Sequence, residues 1–149
     1  MAIDATQRLA EYWFRARLMH DLLHALMEAY DDDLRAIDKD GHSWEFLTYL
    51  DYWLSALFVV VEGFNKLKLK DARVQRLFSP HVSQLKELRH ETYHFVIQRK
   101  IEPRLSKQLN WAEELHAAID AHILELIRTE AIKEEAQKFI QWRAAKRRL

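Results

Sequence analysis

A chain of 149 residues, 49% hydrophobic and 31% charged, is long enough for one domain with a proper core. Two glycines and two prolines argue against turn-rich β architectures and glycine-loop nucleotide sites, and the lack of cysteine excludes disulfides, thiolate zinc sites and cysteine nucleophiles. Net charge is zero but uneven: residues 1–65 hold twelve acidic residues against five basic ones, whereas residues 66–104 hold ten basic against four acidic. Such a middle third can create a local positive field that favours a polyanion.

The fold class these features predict is all-α: an up-and-down bundle of four main helices plus one short helix, in a single domain over 1–149. The N-terminus lacks a basic stretch followed by an apolar one, and the longest apolar run, Ala56–Val61, is too short to cross a bilayer. A cytoplasmic protein without a membrane partner is the expectation.

In chain order, Leu9, Tyr12, Ala16, Met19, Leu23, Leu26 and Tyr30 recur at three- and four-residue spacing, which predicts an amphipathic helix over about Ala5–Ile37. Asp31-Asp32-Asp33 disfavours a helix C-terminus and marks where it frays or ends. A loop follows at Lys39–His42, with Ser43 as the expected N-cap of a second helix, about Trp44–Leu67. That helix is apolar on most of its circumference and should be the most buried. Within it Glu62 reads as a buried carboxylate that needs a partner, and Arg89 is the first candidate.

A short amphipathic piece, Asp71–Phe78, ends at Ser79-Pro80. The next helix is expected over about His81–Ile101, with Leu85, Leu88, Thr92 and Phe95 as its core stripe and Pro103 as its stop. Asn110-Trp111-Ala112-Glu113 resembles a capping box opening a last helix, with Leu115, Ile119, His122, Leu126 and Ile127 on one side. Arg143, Lys146, Arg147 and Arg148 suit the negative end of that helix; a nucleic-acid-binding tail is the sharper alternative.

The chemistry concentrates in Leu88-Arg89-His90-Glu91-Thr92-Tyr93-His94-Phe95. His90-Glu91-Thr92-Tyr93-His94 satisfies the zinc-hydrolase pattern of two histidines four apart with a glutamate between them. The expected turn glycine is Ile97 and the extended-motif ligand is Lys100, so a third ligand would have to come from afar, from Glu113 or Glu114. A second pair at the same spacing, His20 and His24, flanks the apolar seam of the first helix and reads as surface or boundary histidines. Trp13, Trp44, Trp53, Trp111 and Trp142 read as core or interface aromatics. No Ser-His-Asp order can be argued.

The same stretch also carries an arginine, a polar residue and a histidine five positions after the arginine. Arg89-His90-x-x-x-His94 resembles the motif of the HEPN superfamily, all-helical domains that include metal-independent endoribonucleases. The likeness extends over about residues 50–100, through Tyr52-Trp53-Leu54, Val59-Val60-Val61-Glu62-Gly63-Phe64 and Leu85–Phe95, and is closest to small bacterial members. His90 departs from the asparagine more common at its position.

The resemblance implies catalysis by Arg89 and His94, with His90, Glu62 and Tyr93 supporting, and no cofactor. It implies RNA as substrate and a homodimer that joins two motifs in one cleft. It also implies a toxin or defence role, with a cognate antitoxin as partner. The residue types suit that chemistry: histidine can take the 2′-hydroxyl proton, and arginine offers a charged fork for the phosphate. Residues five apart on a helix point about 140° apart, so one motif alone makes a poor pocket. A non-catalytic, dimeric HEPN-like interaction module is the alternative. In that case Arg89 merely neutralises Glu62.

Overall fold

The computed structural model describes residues 4–94, 109–126 and 130–146. Among them are seven α-helices, one 3-10 turn and no strand: α1 (Ala5–Ala29), α2 (Leu34–Lys39), α3 (Ser43–Lys66), α4 (Ala72–Phe78), the turn Ser79–His81, α5 (Val82–Tyr93), α6 (Asn110–Leu126) and α7 (Glu130–Lys146). The all-α, up-and-down bundle expected from the sequence is the observed architecture. Its helices are more finely divided than the periodicity suggests.

The single helix expected over Ala5–Ile37 is two. Asp31 and Asp32 adopt left-handed backbone at φ +50° and +60°, a conformation that aspartate tolerates better than most residues. Their N–H groups donate to the carbonyls of Glu28 and Met27, closing α1. Asp33 then opens α2 by accepting from the N–H groups of Arg35 and Ala36. The acidic run is thus both a stop and a start. Ser43 is the first residue of α3 rather than its cap, and its hydroxyl donates to the Asp38 carboxylate.

α3 lies at the centre, packed antiparallel against α1 on one side and α5 on the other. It buries Phe46, Leu50, Trp53, Leu54, Leu57, Phe58, Val60, Val61 and Phe64, as its near-continuous apolar circumference predicts. By length and composition it is the one described helix long enough and apolar enough to cross a membrane; in the bundle those side chains form the core. A Cβ on Gly63 would stand 2.7 Å from Leu9 Cδ1, so α1 and α3 approach closely there.

α6 completes the bundle. It runs antiparallel to α1, pairing Trp13 with Asp120 and His20 with Glu113, and buries Ala112, Leu115, His116, Ala118, Ile119 and Ile123. α7 lies along α1 through the Phe14–Phe139 ring stack (4.2 Å between centroids) and the Arg143–Asp21 ion pair. Asn110 and Glu113 do not form a capping box: Asn110 is already helical, and the Glu113 side chain points to α1 instead.

Trp13 and Trp53 are core residues, whereas Trp44 and Trp142 are exposed. Trp111 stacks on His81 with centroids 3.7 Å apart. Phe95–Ile101, Pro103, Ile127, Arg147 and Arg148, all given roles in the sequence reading, lie outside the described residues.

Candidate functional site

α5 carries the Arg89–His94 segment. Leu85 and Leu88 are buried against α3, which fixes the helix rotation and turns the intervening polar residues outward. Thr92 is held at the packing surface: its hydroxyl donates to the Leu88 carbonyl (2.8 Å) and accepts from Ser55 (3.1 Å). The expected helix through to Ile101 ends sooner. Tyr93 is the last helical residue, and His94 caps it in extended backbone (φ −125°, ψ 141°), its N–H donating to the His90 carbonyl.

Arg89 meets Glu62, as expected, with Nη1 3.6 Å from Oε2. The setting differs from expectation. Glu62 lies at the margin of α3, its side chain 38% exposed, so the pair is a partly solvated ion pair and not a buried one. Val60, Val61 and Phe64 take up the inward-facing positions around it. The Arg89 guanidinium also sits 5.4 Å from the Phe58 ring centroid, within cation–π range. Arg89 and Glu62 border a groove of about 390 Å³ that is also lined by Arg8, Tyr12, Lys66 and Leu67.

Along the same face Arg15 lies over the Tyr12 ring (5.0 Å), and Tyr52 meets Tyr93 edge-on (5.5 Å), both tyrosines substantially exposed. Partial burial beside Tyr52 raises the Tyr93 hydroxyl pKa, and Arg15 and Arg89 pull in the opposite direction. The phenol is therefore a neutral hydrogen-bonding group at neutral pH. His90 and His94 are exposed, with ring centroids 4.7 Å apart. The structure thus brings Arg89 to Glu62, His90 to His94 and Tyr93 to Tyr52.

No third ligand converges, among the described residues, on the zinc pattern at His90 and His94. Among the described residues, the one set of three histidine or carboxylate side chains with converging ligand atoms is His20, His24 and Glu113. Glu113, a candidate third ligand for the α5 pair, is thus committed to the other histidine pair. His20 Nε2 lies 2.6 Å from Glu113 Oε2 and His24 Nε2 2.9 Å from Oε1. Burial works to raise the Glu113 pKa, but the hydrogen bonds from the two imidazoles outweigh it and hold the carboxyl below its usual range. The spacing of His20 and His24 was visible in the sequence. Their carboxylate was not, because it requires α6 to run antiparallel to α1 in this register.

Behind this cluster is a polar wall in the core. His116 stacks on His20 (4.1 Å), and Trp53 lies 4.9 Å from the His20 ring. The Trp53 indole N–H donates to His116 Nδ1 (3.1 Å). Indole is donor-only, so Nδ1 must be the bare nitrogen and the proton sits on Nε2, 3.7 Å from Asp120 Oδ1. Burial pushes the His116 pKa down to about 3, which keeps that ring neutral. Asp120 in turn accepts from the Trp13 indole (2.6 Å), and Arg17 approaches its other oxygen at 4.0 Å. Comparison of the chain with protein-family models, curated protein sequences and solved structures yields no match.

Proposed function

We propose that the chain is a HEPN-type, metal-independent endoribonuclease acting as a homodimer, with Arg89 and His94 as its catalytic residues. The observation that carries this reading is the face around Arg89. There Arg8, Lys66 and Arg89 line one groove with Glu62, Arg8 also pairs with Glu11, and Arg15 lies over the Tyr12 ring, beside the exposed Tyr52 and Tyr93. Clustered cations with aromatic surfaces for unstacked bases suit single-stranded RNA. His90 and His94 are exposed at the C-terminal end of α5, among the described residues, and are reachable by such a strand.

In this reading His94 takes the proton from the 2′-hydroxyl as that oxygen bonds to phosphorus. The P–O5′ bond breaks and the departing 5′ oxygen takes a proton from water, leaving a 2′,3′-cyclic phosphate and a 5′-hydroxyl end. Arg89 neutralises the charge that builds on the phosphorane oxygens. His90 and Tyr93 position the strand, and Glu62 holds Arg89 until phosphate displaces it. A second copy supplies the opposite wall of the cleft. A toxin or defence role with a cognate antitoxin, in the cytoplasm, is the biological setting this reading carries.

The Arg89–Glu62 ion pair favours a second reading, a dimeric HEPN-like interaction module without catalysis, in which that arginine is structural. RNA cleavage in excess EDTA separates the two. Activity that survives chelation and is lost in both Arg89→Ala and His94→Ala is the expected result. A folded dimer that cleaves no RNA overturns the ribonuclease reading, and a strict monomer in light scattering overturns the shared cleft.

A further inference from the structure

We infer that His20, His24 and Glu113 form a binding site for a first-row divalent metal ion, zinc foremost, between α1 and α6. The donor set is complete for such an ion. Two imidazole nitrogens four residues apart on α1 share one face of the helix, and a carboxylate from the facing helix meets both. All three ligand atoms lie within 4.8 Å of one another. Zinc bound at about 2.0–2.2 Å to nitrogen and oxygen donors sets them about 3.3–3.5 Å apart. The present separations of 2.6 and 2.9 Å therefore need to open by less than about 1 Å, a rotamer adjustment of Glu113.

The rings of His20 and His24 are 4.3 Å apart, so both imidazoles address the same Glu113 carboxylate. With oxygen and nitrogen donors and no thiolate, the set suits zinc, iron(II) or manganese(II) over copper(I).

The surroundings divide the site into two sides. On the core side His116 and Trp53 pack against His20 and restrict its ring rotation, the kind of support that metal-ligating histidines need. On the other side a surface groove lined by His20, Asp21, His24, Ala25 and Glu28 opens to solvent. Three protein ligands and one open side leave a coordination position for water or a ligand atom. This is independent of the ribonuclease reading, since neither Arg89 nor His94 takes part.

The test is zinc titration by calorimetry into the full-length, chelator-stripped protein, with cobalt(II) absorption as a second readout. One zinc per chain is expected, with d–d bands from the cobalt form. His24→Ala and Glu113→Gln should each weaken zinc at least about 100-fold while circular dichroism stays helical, and His90→Ala should leave the stoichiometry at one. Failure of the wild type to bind zinc at micromolar concentration overturns the site. So does zinc binding that persists unchanged in both His24→Ala and Glu113→Gln. Binding lost in His90→Ala but kept in His24→Ala moves the ion to α5 and equally overturns the assignment. EDTA-resistant cleavage addresses only the α5 face, so the two ideas fail separately.

Discussion

Two histidine pairs in this chain have the same spacing and opposite surroundings. His90 and His94 end a helix: one is helical, the other is its extended cap, and both face solvent with rings 4.7 Å apart. His20 and His24 lie mid-helix on α1, where a neighbouring helix supplies Glu113 to both and the core supplies His116 and Trp53 behind them. Spacing alone made the first pair the better zinc candidate, because a glutamate stands between its histidines in sequence. The fold reverses that ranking. A metal site needs a convergent third ligand, and convergence belongs to helix packing rather than to helix periodicity. The α5 pair keeps what a site for a large flexible anion needs: exposure, neighbouring cations and aromatic surface.

Substitutions can drive this contrast harder. The largest effect is expected at the α5 face, where His94→Ala should lower RNA cleavage by about 100-fold or more, the usual scale for losing a general base or acid. Arg89→Lys should fail almost as badly, because an ammonium lacks the planar fork that grips a phosphate in two places. Measured in EDTA, an Arg89→Lys enzyme with full activity would reduce that residue to a simple charge. Next comes the metal: zinc at 100 times its Kd should stabilise the wild type by about 2.7 kcal/mol through linkage. A urea titration should show that gain in His94→Ala and not in His24→Ala. The reverse pattern would exchange the roles of the two pairs.

Trp53→Phe probes the wall behind the inner pair. It removes the N–H that His116 Nδ1 accepts in the core and should cost about 1–3 kcal/mol in chemical denaturation. It should also weaken zinc modestly, by loosening His20. No change in either quantity would show that the wall does not support the cluster.

A histidine–carboxylate contact away from both pairs gives a control for purely structural pairing. Asp71 accepts from the Val74 N–H (3.0 Å) to cap α4 and lies 3.0 Å from His122 Nδ1. The Val74 N–H holds the Asp71 pKa down against the raising effect of burial, with His122 adding to it. A folded-state pKa below the unfolded one means a contribution that is full above the unfolded pKa and lost as pH falls through the folded one. Asp71→Ala should therefore cost about 1 kcal/mol at pH 7, and less in acid below about pH 4, with no effect on zinc.

The smallest expected change is Lys68→Gly. The end of α3 is closed by the Leu69 N–H donating to the Phe64 carbonyl, with Lys68 in left-handed backbone at φ +54°. The equivalent position after α2 is Gly41 at φ +82°. Relieving the Cβ clash should gain about 0.5 kcal/mol in thermal or urea unfolding, and a loss would mean that the lysine side chain contributes there.

Much of this was legible in the chain. The apolar circumference of Trp44–Leu67 marked the central helix, Leu85 and Leu88 marked the buried face of α5, and Glu62 was matched to Arg89 before any geometry was known. These succeed because helical period and local charge act within a few turns of chain. The errors have physical causes of the same order. Asp31 and Asp32 split the first helix because a polar left-handed turn costs little there, and periodicity cannot register a break that preserves phase. Glu62 was read as buried because its neighbours are apolar, yet one step around a helix is 100° and was enough to carry it to the margin.

The sequence by itself determined the helical class, the central helix, the basic middle segment and both histidine pairs, since each depends on composition or on spacing along one helix. Only the tertiary structure decided that His20 and His24 share a carboxylate. Glu113 is 93 residues from His20 and 89 from His24, and no local pattern joins them. Their meeting depends on the antiparallel register of α1 and α6, in which Trp13 meets Asp120 and His20 meets Glu113. That register is a property of the packed core as a whole.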